Sequence, residues 1–221
     1  MKLLLALAAA TALAGPVGAV ELLVNGGFES PAAPTGNFTR YFGGQTFTGW
    51  SVLGNDVIVI NSSYSESGLV FNANSGLNSI DLTGAGNTGP NNGIAQTIAT
   101  VPGTYKLSFF VGNASPTGGN GGNYTQPSTL NLSINGGPVQ SFTNADNTSN
   151  VINWKKFTVS FFTEVPTTLT FTNGTVGDNM LGLDDVSLTS AVPEASTWAM
   201  LILGFSFVGI AARRRKAVAA A

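Results

Sequence analysis

Residues 20–190 predict an all-β fold, a two-layer β-sandwich of jelly-roll type. Three observations carry that expectation. Short segments alternate apolar and polar residues with period two, which sets one strand face on a core and the other in water. Turn-forming residues recur between those segments, with 28 Gly among 221 residues, and such residues favour turns over helices. No stretch between 20 and 190 repeats its apolar residues at helical spacing.

The chain opens MKLLLALAAATALAGPVGAV. One Lys precedes an apolar run, Gly15-Pro16 breaks it, and Val17-Gly18-Ala19 offers small residues to a signal peptidase. This three-part pattern predicts a signal peptide over 1–19. The run is short for a first transmembrane helix.

The strands follow. Tyr105–Val111, Leu130–Ile134, Phe157–Phe161, Thr168–Thr172 and Val186–Leu188 alternate cleanly. Val57–Ile60 is apolar throughout, as suits a strand buried on both faces. Leu22–Val24, Ser51–Leu53, Ser79–Leu82 and Ile94–Ile98 raise the expectation to ten or more strands. Gly112–Pro127 is the longest interruption, and its Gly, Asn and Pro content predicts an exposed loop. One domain over 20–190 is the simplest division.

The remainder, 191–221, changes character. No charge occurs from Ala195 to Ala212. A helix of that length spans about 27 Å, close to the ~30 Å hydrocarbon core of a bilayer. A transmembrane helix is expected over about 197–212. Trp198 stands at its interface, and the basic tail 213–216 on its cytoplasmic side. The domain is then exported, anchored to the inner membrane and facing the periplasm.

Composition excludes several chemistries. With no Cys and no His, the chain has no disulfide, thiol nucleophile, His base or common zinc site. Between 20 and 190, four basic and ten acidic residues leave a net charge of about −6, which argues against nucleic acid as a partner. Scattered carboxylates do not make the positioned pair of a glycosidase, so the domain is read as no enzyme. Gly84-Ala-Gly86-Asn-Thr-Gly89 spells G-x-G-x-x-G but precedes a strand-like segment. A dinucleotide site needs a helix there.

Two carboxylates stand out. On the last strand, Asp184 is expected to share a face with Val186 and Leu188, which should be core. A carboxylate aimed inward is costly unless it is paired or binds a metal. Glu29 ends the opening Asn25-Gly26-Gly27-Phe28-Glu29. First and last strands meet in a jelly roll, so Glu29 and Asp184 can share a structural Ca²⁺ with backbone carbonyls. The alternative is that Asp184 and Asp185 cap the strand through backbone hydrogen bonds. Tyr41, Phe42, Tyr64 and Tyr124 fall in loop-like segments and are candidates for stacking on sugar rings. Trp50 and Trp154 lie in strand-like surroundings and are expected in the core.

The C-terminal residues resemble the PEP-CTERM sorting signal in its PEPxxWA form. Pro193, Glu194, Trp198-Ala199-Met200, an apolar span and Arg213, Arg214 and Arg215 stand in the expected order, with Ala195 in place of the second Pro. The resemblance implies an exosortase as partner and delivery to the cell surface or biofilm matrix. The motifs Asn25–Glu29, Thr48–Val52, Ser79–Leu82, Ile94–Thr97, Tyr105–Phe109 and Leu183–Leu188 together resemble the galactose-binding-like sandwich of "choice-of-anchor" proteins and carbohydrate-binding modules. That resemblance implies that Glu29 and Asp184 ligate Ca²⁺ and that the sandwich binds extracellular polysaccharide. A structural or adhesive matrix protein without a glycan site is the second expectation, and a polysaccharide hydrolase the third.

Overall fold

The computed structural model describes residues 19–66, 68–86, 91–114, 124, 126–146, 150–175 and 180–191, with 202, 204 and 206 near the C-terminus. Glu21–Ala191 form one compact unit, and the two ends, Met1–Val20 and Val192–Ala221, fall outside it. That unit holds both sheets and the apolar core, which is what independent folding requires. Ile202, Gly204 and Ser206 are helical. The rest of the expected membrane span, the signal peptide and Pro193, Glu194, Trp198 and Arg213–Arg215 lie outside the described residues. Among the described residues no helix is long and apolar enough to cross a membrane.

Fourteen strands are described: β1 (Phe38–Phe42), β2 (Thr46–Phe47), β3 (Trp50–Leu53), β4 (Asp56–Asn61), β5 (Ser65–Glu66), β6 (Leu69–Val70), β7 (Asn78–Asp81), β8 (Gly93–Ile98), β9 (Gly103–Asn113), β10 (Ser128–Ile134), β11 (Gln140–Asn144), β12 (Asn153–Thr163), β13 (Thr167–Asn173) and β14 (Gly182–Ser190). The first sheet runs β1-β4-β7-β14-β9-β12, the second β11-β10-β13-β8-β3-β2, and β5 and β6 form a short ribbon. The strand pairings are antiparallel. Among the described residues, the next element after Gly84 is strand β8.

Alternation explains the main core. Tyr105, Leu107, Phe109 and Val111 of β9 face Leu130 and Leu132 of β10 and Leu169 and Phe171 of β13. Trp50 closes it beside Phe28 and Phe171. Strand β4 is buried along its whole length. Val57 and Val59 enter the main core, whereas Ile58 and Ile60 enter a second apolar cluster on the other side of the first sheet. Leu69, Phe71, Tyr124, Ile152 and Met180 complete that cluster, and Trp154 packs against it.

The opening residues dock without forming a strand. Gln96 supplies the backbone pairing that Val24 lacks: its Oε1 accepts from Val24 N at 2.8 Å, and its Nε2 donates to Val24 O at 2.9 Å. Trp50 Nε1 donates to Asn25 O at 3.0 Å, and Val186 N donates to Gly26 O at 2.9 Å. A Cβ on Gly26 would collide with the Val186 carbonyl, so only glycine lets the first segment lie on β14.

Candidate functional site

Two places gather the candidate residues. The first is the loop 71–77 between β6 and β7, together with Asn78 at the start of β7. Glu29 Oε1 accepts from Leu77 N at 2.8 Å and Asn78 N at 2.9 Å, and Glu29 Oε2 from Asn78 Nδ2 at 2.7 Å. Asp184 Oδ2 accepts from Asn74 N at 2.8 Å and Ser75 N at 3.3 Å. Asp185 accepts from Asn74 Nδ2 at 2.6 Å and Ser75 Oγ at 2.7 Å. On the loop's far side Trp154 Nε1 donates to Asn72 O at 3.0 Å.

A bulge sets this geometry. The β14–β9 register shifts between Asp184 and Ser187, and Asp185 adopts a positive φ of 47°. The extra residue reverses the alternation. Leu183, Val186 and Leu188 all enter the main core, whereas Asp184 pairs with the outward-facing Phe110. The expectation that Asp184 shares a face with Val186 and Leu188 is therefore corrected, because it assumed an unbroken strand.

Asp184 is fully buried. Burial pushes its carboxyl up to about 7, and the neighbouring Asp185 charge adds to the rise. The ion pairs found among the described residues, Arg40–Asp56 and Lys155–Asp146, lie elsewhere. Glu29, Asp184 and Asp185 thus meet this loop with no Lys or Arg partner among the described residues. These are hard oxygen donors, the type Ca²⁺ takes. Their oxygens also satisfy loop N–H groups directly, as the capping alternative requires. Among the described residues no three acidic side chains gather as a metal-binding group.

The second place is a cavity of about 90 Å³ on the outer side of the first sheet. Phe38, Tyr64, Phe71 and Tyr124 line it together with Glu66 and Asp81. The rings contact one another in series: Phe38–Tyr64 at 5.5 Å, Tyr64–Phe71 at 5.3 Å and Phe71–Tyr124 at 6.2 Å. Tyr64 OH donates to Glu66 Oε2 at 3.1 Å, and its own pKa is raised by burial and by Glu66. Asp81 is buried under the aromatic cluster and pairs across strands with Ile58 and Gly182. Burial pushes it up to about 7 against the opposing effect of hydrogen bonds from Thr83 and Leu181.

The structure brings Tyr64 and Tyr124 together and leaves Tyr41 apart. Tyr41 lies on β1, not in a loop, and stacks on Phe47 at 4.7 Å. Phe42, also on β1, is 50% exposed beneath the Arg40 guanidinium. Tyr124 is 4% exposed, so the segment expected to be an exposed loop contributes a buried ring. Glu66 is one of the scattered carboxylates of the sequence, and Asp81 belongs to the Ser79–Leu82 motif; neither is a sugar-binding candidate by sequence pattern. Asp81 interrupts the apolar Ile80–Leu82 run, and that was the available signal.

The fold and these sites describe a two-sheet β-domain with an acidic loop clasp and an aromatic–carboxylate pocket. A family profile described as "Protein of unknown function (DUF642)" matches residues 21–187, and the chain belongs to that family. A second profile, the PEP-CTERM protein-sorting motif, matches residues 191–216. The chain therefore carries the sorting signal of an exported surface protein. No protein of curated function matches the sequence. Among solved structures, the chain is similar to TmCBM61 in complex with β-1,4-galactotriose, at 19% identity and TM-score 0.45, covering 77% of this chain and 99% of that one. It is similar to the CBM22-1 xylan-binding domain of Paenibacillus barcinonensis Xyn10C, at 16% identity and TM-score 0.41, covering 72% and 97%. It is also similar to the Podospora anserina GH26-CBM35 β-(1,4)-mannanase, at 12% identity and TM-score 0.42, covering 72% and 28%.

Proposed function

We propose that this is an exported envelope protein whose sandwich binds or organises polysaccharide. Its C-terminal signal first holds the domain on the periplasmic side of the inner membrane. An exosortase then processes it for the cell surface or extracellular matrix. The observation that carries the glycan reading is the pocket of Tyr64, Phe71, Tyr124, Glu66 and Asp81. Ring faces pack on the apolar faces of sugars, and carboxylate oxygens accept sugar hydroxyls. The reading assigns no bond-breaking chemistry to the domain.

A structural Ca²⁺ fits the loop clasp, with Glu29 and Asp184 as its carboxylate donors. The repulsion between Asp184 and the adjacent Asp185, with no Lys or Arg partner beside them among the described residues, supports that assignment, because a bound cation offsets it. A second reading, an adhesive or structural matrix protein without a glycan site, is favoured by the depth of Phe71 and Tyr124, which are both buried.

Purified residues 20–190 on a glycan array separate the two readings. Binding to one class of polysaccharide supports the first. No glycan bound above background overturns it.

A further inference from the structure

The two sheets differ in charge. The strands of the first carry Arg40, Asp56, Asp81, Lys106, Lys155, Lys156, Asp184 and Asp185. The six strands of the second carry no Asp, Glu, Lys or Arg. Its outward positions are almost all hydroxyl or amide residues. One cross-strand row reads Ser133, Thr170, Ala95, Ser51, Thr46 across five adjacent strands. A parallel row reads Ser141, Asn131, Thr172.

Strand propensity alone explains the Thr residues, which suit an exposed β face. It does not explain the contrast with the first sheet, because the same chain places all eight strand charges of its two six-stranded sheets on that sheet.

The hydroxyls are also held in place. Thr97 and Thr168 hydroxyls bond at 2.8 Å, Thr129 and Thr143 at 2.9 Å, and Ser141 Oγ donates to Asn131 Oδ1 at 2.7 Å. A bonded Thr pair keeps one donor and several acceptor sites for an outside partner. Their β-branched side chains are stiff, so little rotamer freedom is lost when a ligand docks. The long row ends at Ser51 and Thr46, and both line an open hollow of about 440 Å³ with Phe47, Thr48, Gly49 and Trp50.

We propose that this outer face is a second glycan surface, on which a neutral polysaccharide chain lies across the strands and ends in the Thr46–Ser51 hollow. The inference rests on the polysaccharide reading above and adds the charge class of the ligand. A face with donors and acceptors but no ions matches a polymer of the same character. It offers an acidic polymer no counter-charge. Neighbouring strands present hydroxyls about 4.8 Å apart on a twisted surface, which a flexible chain can follow.

The test measures binding of residues 20–190 to neutral galactan, xylan and mannan and to acidic polygalacturonate. Thr97→Val/Thr170→Val removes hydroxyls and keeps strand propensity; Thr170→Lys adds charge; Tyr64→Ala addresses the pocket alone. The expected result is binding to a neutral polymer that is unchanged between about 0.05 and 1 M NaCl. Both face variants should weaken it about tenfold with the melting temperature kept. If only Tyr64→Ala weakens binding, the face proposal is overturned and the polysaccharide reading stands. Loss confined to the face variants supports the face and removes the pocket. Preference for polygalacturonate, loss of wild-type binding in salt, or dimerisation through this face overturns the proposal. No binding to any polymer overturns both readings.

Discussion

Glu29 and Asp184 hold one loop, Asp184 at its middle and Glu29 at its end. Glu29 takes the N–H groups of Leu77 and Asn78, and Asp184 takes those of Asn74 and Ser75. Asp184 belongs to the last strand and Glu29 to the opening turn, so the loop ties the opening turn of the Glu21–Ala191 unit to its last strand.

A structural Ca²⁺ at this clasp predicts that EGTA lowers the melting temperature of residues 20–190. Glu29→Ala should lower the melting temperature by itself and abolish the further effect of EGTA. A melting curve indifferent to EGTA would remove the ion and leave the clasp as hydrogen bonds alone.

Asp81 predicts a pH dependence. Burial raises its folded-state pKa from 3.8 to about 7. The folded chain thus holds the proton more tightly than the unfolded one. The resulting stabilisation is fully present below about pH 4 and is lost as pH rises through about 7, at no more than about 1.4 kcal/mol per pH unit. Asp81→Asn keeps Oδ1 as acceptor for Thr83 and Leu181 and has no proton to lose. Urea unfolding from pH 4 to 8 should show a shallower decline in that variant.

Gln96 predicts a cost without any change in the apolar core. Gln96→Ala leaves the N–H and carbonyl of Val24 without their side-chain partner. An unmet polar group of this kind costs roughly 1–3 kcal/mol. The urea midpoint should fall accordingly, and proteolysis should begin near Val24.

Gly26 and Gly36 predict unequal effects of one substitution. Gly36→Ala places its Cβ in open space and pays only for φ +68°, about 1–2 kcal/mol. Gly26→Ala forces the opening segment off Val186 and should destabilise by more than that. Equal melting temperatures for the two variants would contradict the docking described here.

Much of this was legible in the sequence. Tyr105–Val111, Leu130–Ile134 and Phe157–Phe161 alternate without interruption, and each lies within a long strand, β9, β10 and β12. Val57–Ile60 announced burial on both faces through four consecutive apolar residues. Leu22–Val24 reads as a strand by composition, but only Leu22 bonds to the β14 backbone, and Val24 pairs through a glutamine side chain 72 residues away, which no local pattern shows. The bulge at Asp185 was hidden for the same reason: alternation assumes regular register, and one inserted residue inverts it. Tyr41 sits in Phe38–Phe42, where aromatic residues at both strand ends blur the period. The pocket needed the fold, because Tyr64, Asp81 and Tyr124 are distant in sequence and meet only across the first sheet.

The most direct test of the account is titration of residues 20–190 with the polysaccharide that binds best on the array, comparing wild type with Tyr64→Ala and Glu66→Gln. The account predicts at least about tenfold weaker binding for each variant, with an unchanged melting temperature for Glu66→Gln and both variants folded at the temperature of the titration. Wild-type affinity in both variants would contradict the pocket as the glycan site.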